Sequence, residues 1–353
     1  MGSIIKKCIG LIFGGKSNEH YVSITSAKAI FRALKSEQNT KIFNVKTFYI
    51  SREGKWYSHE KSILILKNEL NIKELELKKT YKPIHLTEIL NVEEIDVWFP
   101  ILHGFNGEDG TIQGLLKLTQ KPFISAGILG SAICMDKITS KLLFTNLKIP
   151  QVNYLPLHNY DPDNTFELKK IINKVNDKLN FPLFIKPSNS GSSLGITKIN
   201  NIKELHSALK KAWQIDKRII IEEGLNIREL ECGVIGKNDL LPSEVGEVVY
   251  KSDWYDYESK YELENKLIIP ALIDKNIKNQ IQRFAIEGCK ALNVEVFARV
   301  DFFLEKGTDK IYLNEINTIP GFTDKSMFPL LWKALGLDID QLVAKLINIV
   351  IES

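Results

Sequence analysis

The sequence predicts a mixed α/β fold (α+β), with an N-terminal open α/β domain, a small central domain and a C-terminal domain built on a mixed sheet. Residues 7–15 read Lys-Cys-Ile-Gly-Leu-Ile-Phe-Gly-Gly, a buried strand that ends in two glycines before a helix expected over about 22–35. Open α/β layers begin in this way. Residues 297–321 contain two alternating apolar arms joined by a short polar turn, which predicts a β-hairpin.

Length and composition fit several compact soluble domains. The chain has 353 residues, of which 44% are hydrophobic and 25% charged, enough for two or three domains with their own cores. Its 47 basic and 43 acidic residues are interspersed and leave a net charge of only +4, so charge gives no reason to expect a nucleic-acid partner. The four cysteines lie far apart, and no apolar run approaches the roughly 18 residues of a membrane span. We therefore expect a cytoplasmic protein with reduced core cysteines.

The first domain is expected to cover residues 1–130. It should contain further strands at about 42–51, 95–101 and 122–126 and a glycine-rich loop over about 100–114, and a long helix expected over 129–147 starts at its boundary. Four of the eleven residues from 104 to 114 are glycine, so the backbone of this loop can approach a ligand closely. We expect Glu108 and Asp109 to shape the loop and to cap the helix that follows it.

The second domain is expected over residues 131–224 and the third over 225–353. Their predicted strands lie at about 152–157, 182–187, 196–200, 218–225, 229–236 and 241–250. Their predicted helices lie at about 164–179, 202–213, 275–292 and 339–351. Lys186 ends an apolar strand directly before the Gly/Ser-rich residues 188–195, an arrangement typical of phosphate binding. The spacing differs from that of a Walker loop, and the flanking strands favour a mobile lid over a linker.

The hairpin carries the clearest chemical pattern. Side chains two apart on a strand share a face, so Arg299 points with Asp301, and Glu315 points with Asn317. Paired in register, the arms would bring Asp301, Glu315 and Asn317 together as oxygen ligands of a hard cation, which usually also contacts substrate phosphates. A hairpin with one solvated polar face is the simpler alternative. The apolar neighbours favour a core hairpin, where an unpaired carboxylate is costly.

The residues around this site resemble a known family. Arg-Val-Asp over 299–301 and Asn-Glu-Ile-Asn-Thr-Ile-Pro-Gly-Phe-Thr over 314–323 are similar to the metal and substrate signature of the D-alanine:D-alanine ligases, members of the ATP-grasp superfamily. Further motifs of that family are matched at residues 103–110, 135–137 and 255–261. The resemblance covers nearly the whole chain. It implies an ATP-grasp fold and ATP-dependent condensation of two D-alanines through an acyl phosphate, for peptidoglycan synthesis.

The resemblance also implies roles for individual residues. Glu19 would hold the amino group of the first D-alanine, His103 would lie by its carboxylate, and Arg299 with the N–H of Gly321 would stabilise the tetrahedral oxyanion. Phosphates would be bound by Lys137, Lys186, Lys260, Ser192 and Ser193. Ser192 and Tyr261 would also lie near the substrates. Adenine and ribose would be bound by Glu222, Glu223, Gly224, Leu225 and Glu229. Two Mg²⁺ or Mn²⁺ ions would be bound by Asp301, Glu315 and Asn317.

The second substrate is expected to be D-alanine. Ser326 and Met327 match residues beside its pocket, and an apolar Met327 offers no partner to a D-serine hydroxyl. Ligases that make the D-lactate ester lack the Lys-Tyr pair that ends here at Tyr261. Synthesis of D-alanyl-D-serine or D-alanyl-D-lactate is the alternative. Two positions depart from the family pattern, since Tyr21 replaces a second acid and Ile227 replaces a glycine.

Three other classes of protein are weighed against this interpretation. A ligase for another amino acid would lack the loops of His103 and Tyr261, and a non-catalytic nucleotide-binding protein would lack a metal ligand or a phosphate lysine. A dehydrogenase needs Gly-x-Gly-x-x-Gly where residues 14–19 read Gly-Gly-Lys-Ser-Asn-Glu. The sequence favours a ligase that acts on D-alanine and ATP without a nucleic-acid or membrane partner, and the family resemblance implies a homodimer.

Overall fold

The described part of the chain forms three sheets with helices packed against them. The computed structural model describes residues 5–72, 82–85, 88, 93–158, 160–191, 194–250 and 266–352. The α/β fold predicted from the sequence is confirmed. The domain limits at residues 130 and 224 stay predictions.

The N-terminal sheet has four strands in the order β3-β2-β1-β4. These are β1 (Lys7–Gly14), β2 (Phe43–Ile50), β3 (Trp56–Tyr57) and β4 (Val97–Ile101). β1 pairs in parallel with β2 and β4, whereas β3 is antiparallel to β2. The apolar run of β1 is buried on both faces, as expected for the centre of a parallel sheet. The accompanying helices are α1 (His20–Leu34), α2 (His59–Leu66) and α3 (Thr111–Leu118).

Two sequence predictions near the end of this domain are wrong. The helix expected over 129–147 is divided into α4 (Ile128–Met135) and α5 (Lys137–Asn146) by Asp136, whose backbone is extended. The Asp136 carboxylate accepts the N–H of Thr139 at 2.7 Å, and this cap starts a new helix at Lys137. The strand expected over 122–126 is reduced to an isolated bridge between Phe123 and Trp98.

The central sheet is antiparallel, with its strands in the order β5-β8-β6-β7. The strands are β5 (Tyr154–Leu157), β6 (Leu183–Pro187), β7 (Thr197–Ile199) and β8 (Ile219–Glu223). Helices α6 (Thr165–Lys178) and α7 (Leu205–Trp213) share an apolar core with this sheet. β8 lies between β5 and β6, which explains why its residues 219–221 are fully buried.

The C-terminal sheet has five strands in the order β11-β10-β9-β12-β13. They are β9 (Ile227–Gly236), β10 (Leu241–Val249), β11 (Lys266–Ile268), β12 (Val296–Glu305) and β13 (Ile311–Asn317). All pairings among these described strands are antiparallel, so the expected mixed sheet is wrong. The hairpin predicted over 297–321 is confirmed by β12 and β13. Helices α8 (Lys275–Ala291) and α9 (Met327–Lys333) pack against this sheet.

The last helix, α10 (Ile339–Ile351), packs against α1 and belongs to the same apolar core as β1. It starts with a capping box, in which Asp338 and Gln341 exchange side-chain to backbone hydrogen bonds. Its apolar face includes Leu342, Val343, Leu346 and Ile347, all fully buried. The C-terminal end of the chain therefore completes the N-terminal core.

The state of the cysteines agrees with the reduced core cysteines expected from the sequence. All four cysteines are free, and three of them are buried. Burial raises the pKa of the Cys232 thiol to about 12, so this group stays protonated and unreactive. None of the described helices is long and apolar enough to cross a membrane.

Replacing Leu346 with Ala should destabilise the protein by about 3 kcal/mol, because the change leaves a cavity in the shared core. Leu335→Ala is the matched control, since Leu335 is 53% exposed and its loss should change the free energy of unfolding by less than about 0.5 kcal/mol. Urea denaturation followed by circular dichroism measures both. Equal shifts of the unfolding midpoint would contradict the packing of α10 into this core.

Candidate active site

The hairpin of β12 and β13 gathers the predicted metal ligands on one face. Asp301 lies directly opposite Glu315, and Arg299 lies opposite Asn317, and side chains of such opposed pairs are neighbours. The Asn317 Nδ2 donates to the Asp301 Oδ2 at 2.9 Å. A β-bulge follows Asp301, a feature that re-aims side chains beside active sites. The structure thus brings the three predicted oxygen ligands together.

Arg299 neutralises the acidic side chains on this face. Its Nε and Nη2 donate to the Asp301 carboxylate at 2.7 and 2.8 Å, and its Nε lies 3.0 Å from the Glu231 Oε2. Burial alone would lower the pKa of Arg299, but the carboxylates of Asp301 and Glu231 raise it well above its ordinary value. Sequence reasoning missed Glu231. The alternation of Glu229 and Glu231 along one strand is the signal that could have found it.

Lys137 connects the hairpin to the Gly/Ser-rich loop. Its Nζ lies 3.3 Å from the Glu315 carboxylate and donates to the Ser190 carbonyl at 2.6 Å. Lys137 is the first residue of α5, so the cap at Asp136 also sets its position. The structure therefore places a predicted phosphate lysine between a predicted metal ligand and the loop.

Glu222 holds two lysines in a buried cluster. The Lys186 Nζ donates to its carboxylate, and the Lys141 Nζ lies 2.9 Å from the other oxygen. The side chains of Lys141 and Glu222 are each 2% exposed. Burial alone would raise the pKa of Glu222, but the two lysines lower it to about 2. Sequence reasoning missed Lys141, although it lies four residues after Lys137, on the same helix face.

The predicted adenine segment connects the central and C-terminal sheets. The N–H groups of Glu223 and Gly224 donate to carbonyls of neighbouring segments at 2.9 and 2.7 Å. A Cβ on Gly224 would lie 2.7 Å from the Phe184 ring, so glycine is required there. Leu225 and Glu229 are half-buried, and Glu229 accepts a hydrogen bond from a tyrosine hydroxyl at 2.6 Å. The glycine expected at 227 is replaced by the first residue of β9.

Glu19 lies on a turn that is bound to the glycine-rich loop. The Ser17 Oγ donates to the His103 carbonyl at 2.6 Å and accepts the N–H of Glu19 at 3.2 Å. Gly104 has a φ of +71°, and a Cβ there would lie 2.7 Å from the Glu19 Oε2. Only glycine allows this carboxylate to approach the loop so closely. Tyr21, which replaces an acid of the family pattern, is 54% exposed.

Both ring nitrogens of His103 are already in contact with protein groups. The Nδ1 lies 2.8 Å from the Ile319 carbonyl, which can only accept, so Nδ1 carries the proton. The Nε2 then accepts from the Ser26 hydroxyl at 3.0 Å. Burial lowers the pKa of His103, and the Glu19 carboxylate opposes this shift. The imidazole is therefore neutral near neutral pH and offers no positive charge to a substrate carboxylate.

The residues predicted for the second substrate lie around the start of α9. A Cβ on Gly321 would lie 3.1 Å from the Ser326 Oγ, so these two residues are neighbours. Met327 is only 5% exposed and packs against Gly246, where a Cβ would lie 2.5 Å from the Met327 sulfur. The structure thus places Met327, the first residue of α9, in a buried cluster between this helix and β10. The remaining predicted site residues lie outside the described residues: Ser192, Ser193, Lys260 and Tyr261.

Family models match both halves of the chain. The one described as D-ala D-ala ligase N-terminus matches residues 8–126, and the one described as D-ala D-ala ligase C-terminus matches residues 143–348. The D-alanine--D-alanine ligases of Prochlorococcus marinus strains MIT 9312 and MIT 9515 are 59% and 58% identical to this chain. These alignments span 346 and 350 residues and cover 98% and 99% of this chain, and the same shares of the relatives.

Solved structures agree with these matches. The VanG D-Ala:D-Ser ligase from Enterococcus faecalis has a TM-score of 0.85 at 35% identity, covering 98% of this chain and 99% of that chain. The D-alanine-D-alanine ligase from Coxiella burnetii has a TM-score of 0.81 at 30% identity, covering 98% of this chain and 96% of that chain. The chain belongs to the D-alanine:D-alanine ligase family and has its ATP-grasp fold.

Proposed function

We propose that this protein uses ATP to join two D-alanines into D-alanyl-D-alanine for peptidoglycan synthesis, with release of ADP and phosphate. The observation that carries the proposal is the convergence of Asp301, Glu315 and Asn317 with Lys137 on one face of the hairpin. Relatives that are 58 and 59% identical over nearly the full length are D-alanine--D-alanine ligases, which supports it. From the family resemblance we also propose a cytoplasmic homodimer.

The donor set on the hairpin suits a hard divalent cation. It consists of the two carboxylates of Asp301 and Glu315 and the amide of Asn317, and Mg²⁺ prefers such oxygen ligands. The amide oxygen of Asn317 would be the third protein ligand, and within the described ranges no three His, Cys, Asp or Glu side chains form a metal-binding group. We propose two Mg²⁺ or Mn²⁺ ions here, which when bound would neutralise charge on the triphosphate.

The first chemical step forms an acyl phosphate. A carboxylate oxygen of the first D-alanine attacks the γ-phosphorus of ATP, and the bond to the β-phosphate oxygen breaks to release ADP. Lys137 and Lys186 would balance the charge on the transferred group, together with Lys260 of the 255–261 motif. Glu19 would hold the ammonium group of this D-alanine. A protein nucleophile is not needed, because the carboxylate itself attacks.

The second step forms the peptide bond. The amine of the second D-alanine attacks the acyl carbon, the tetrahedral centre expels phosphate, and the proton lost by the nitrogen is taken up by the departing phosphate. The N–H of Gly321 and the Nη1 of Arg299 would stabilise the oxyanion, because fixed donors aimed at developing charge lower the barrier. The contacts of Arg299 with Asp301 and Glu231 use its Nε and Nη2, so the guanidinium is held in place for this role.

Lys141 would allow Lys186 to leave Glu222 and bind the nucleotide. In the structure described here, Lys186 and Lys141 share the Glu222 carboxylate. When Lys186 turns toward a phosphate, Glu222 keeps Lys141 as its partner and does not become an uncompensated buried charge, which would be strongly destabilising. Lys141 is thus proposed as a permanent counter-ion of this cluster.

Replacing Lys141 with Met should lower the free energy of unfolding by about 2 kcal/mol at pH 7. The loss is smaller than that for a buried carboxylate without any partner, because Lys186 still pairs with Glu222. The pKa of Glu222, about 2, lies below its ordinary value of 4.5, so ionised Glu222 stabilises the fold above pH 4.5, and this contribution disappears as the pH falls toward 2. The difference between variant and wild type should therefore narrow below pH 4.5 in urea denaturation.

The control for this experiment is the double variant Lys141→Met/Glu222→Gln, which removes the charge together with its partner. It should recover most of the lost stability, because the two residues act as one pair. A difference that is the same at neutral and acidic pH, or a double variant less stable than Lys141→Met, would contradict the role of Lys141.

Replacing Glu315 with Gln keeps the shape of the side chain but removes a proposed metal ligand. We expect kcat for dipeptide formation to fall more than about tenfold, a loss above about 1.4 kcal/mol in the barrier. Glu305→Gln is the matched control on the same hairpin, since Glu305 accepts from Thr308 and Tyr312 at its turn end. Coupled ADP assays measure both variants. A Glu315→Gln enzyme as active as Glu305→Gln would rule out Glu315 as a principal ligand.

The choice of second substrate can be tested directly. The 35% identical VanG is a D-Ala:D-Ser ligase, which makes D-serine the second candidate, but the 59% identical relative is a D-alanine--D-alanine ligase. With ATP, D-alanine and an equal concentration of D-serine or D-lactate near neutral pH, we expect D-alanyl-D-alanine as the main product by mass spectrometry. A mixed product in excess over D-alanyl-D-alanine would favour the alternative ligase.

A further inference from the structure

The segment Ile319–Phe322, which follows β13, is held by residues of the N-terminal domain. The Ile319 carbonyl accepts from the His103 Nδ1 at 2.8 Å. The N–H of Phe322 donates to the Ser26 Oγ at 3.1 Å. The side chains of Ile319 and Phe322 are buried in the core that contains β1 and α10. This segment includes Gly321, the proposed oxyanion donor, so the N-terminal domain fixes the surroundings of that N–H.

Glu108 completes this arrangement with a single carboxylate. Its Oε1 accepts the N–H of Ile319 at 3.1 Å, and its Oε2 accepts the N–H of Gly104 at 2.7 Å. Ile319 is therefore bound at both its N–H, by Glu108, and its carbonyl, by His103. The peptide groups on both sides of its Cα are oriented by the N-terminal domain.

The two contacts require an acceptor at each oxygen of the side chain at position 108. Both partners are N–H donors, and a glutamine would present its own N–H₂ to one of them. The ionised form is unfavourable at this position, because burial and the nearby charge of Glu19 raise the pKa of Glu108 to about 8, although the two N–H donors oppose this shift. A group that is costly to bury and binds two backbone donors is more readily explained by a positional requirement than by packing.

Asp109, the neighbour of Glu108, makes its hydrogen bonds within its own loop. Its carboxylate accepts the N–H groups of Asn106 and Thr111, at 2.8 and 3.0 Å, and both partners lie within the loop. Glu108, in contrast, reaches a partner 211 residues further along the chain. The two neighbouring acids therefore have different tasks: Glu108, like His103, connects the loop to the Gly321 segment, whereas the contacts of Asp109 stay within the loop.

The geometry between these anchors leaves Gly321 little freedom. Ile319 is fixed at both backbone groups, Pro320 has its φ locked by its ring, and Phe322 is anchored by Ser26. Gly321 lies between the fixed ends of this short segment. A shift of Ile319 would accordingly move the N–H of Gly321 relative to the acyl carbon.

We propose that Glu108 is a positioning residue for the ligation, which through the N–H of Ile319 sets where the N–H of Gly321 meets the oxyanion. This inference rests on the proposed function. The oxyanion develops only when the second D-alanine attacks, so a displaced Gly321 should slow that attack and leave acyl phosphate formation largely unchanged. Acyl phosphate that waits for the amine is hydrolysed to D-alanine and phosphate, so ATP would be consumed without dipeptide formation.

The test compares Glu108→Gln with Asp109→Asn in the same loop. For wild type and Asp109→Asn we expect about one ADP per dipeptide and similar kcat. For Glu108→Gln we expect dipeptide formation about 10- to 100-fold slower, as for a misplaced catalytic group, with the KM for ATP within about twofold and clearly more than one ADP per dipeptide. Ser26→Ala removes the acceptor of the Phe322 N–H and should also raise the number of ADP molecules released per dipeptide, to a smaller degree. This second variant tests the proposal if Glu108→Gln does not fold.

A Glu108→Gln enzyme that keeps one ADP per dipeptide would overturn the proposal, whether its kcat matches that of Asp109→Asn or is lower. If the variant keeps one ADP per dipeptide and its KM for D-alanine rises, Glu108 acts only through its electrostatic interaction with Glu19. With Glu108→Gln unfolded, an unchanged ratio in Ser26→Ala would overturn it as well. A wild-type protein that forms no dipeptide would instead refute the proposed function, and this inference with it.

Discussion

The pairing of Arg299 with Asp301 and Glu231 is the interaction on which the candidate site depends. Glu231, Asp301 and Glu315 lie opposite one another on three neighbouring strands, and such carboxylates repel one another unless cations lie between them. Arg299 contacts two of them, and Lys137 approaches the third. Glu222 repeats this arrangement with its two lysines. The protein therefore supplies its own counter-charges, and in the proposed reaction its lysines would exchange a carboxylate for a phosphate of ATP.

The proposed reaction centre draws its residues from all three sheets. The C-terminal hairpin carries the proposed metal ligands, the central sheet carries the proposed phosphate ligand Lys186, and the N-terminal domain carries Glu19, the proposed partner of the substrate ammonium group. Hydrogen bonds between distant segments hold these parts in register: Ser17 binds the His103 carbonyl, and His103 binds the Ile319 carbonyl. Because α10 also packs into the N-terminal core, the first and last parts of the chain are one structural unit. The proposed oxyanion donor is thus placed by residues far from it in sequence.

Much of the fold and the hairpin site could be predicted because their signals are local. Alternation along a strand determines which side chains share a face, so the grouping of Asp301, Glu315 and Asn317 followed from the sequence alone. The break at Asp136 was missed because the apolar pattern continues through it, and the competing cap is one side-chain hydrogen bond. The contacts of Lys141 with Glu222 and of Met327 with Gly246 join residues from distant segments, which no local pattern reveals. For the same reason, the sequence assigned Glu108 to its own loop only.

Direct transfer of the γ-phosphoryl group to D-alanine is tested most directly by oxygen labelling. D-alanine that carries ¹⁸O in its carboxylate is incubated with the protein, ATP and Mg²⁺, and the released phosphate is analysed by mass spectrometry. In the acyl phosphate route, amine attack breaks the bond between the acyl carbon and the bridging oxygen. Each phosphate released with a dipeptide should therefore carry one ¹⁸O atom. Unlabelled phosphate, or label recovered in AMP, would contradict the acyl phosphate route and the roles proposed for the lysines and the hairpin.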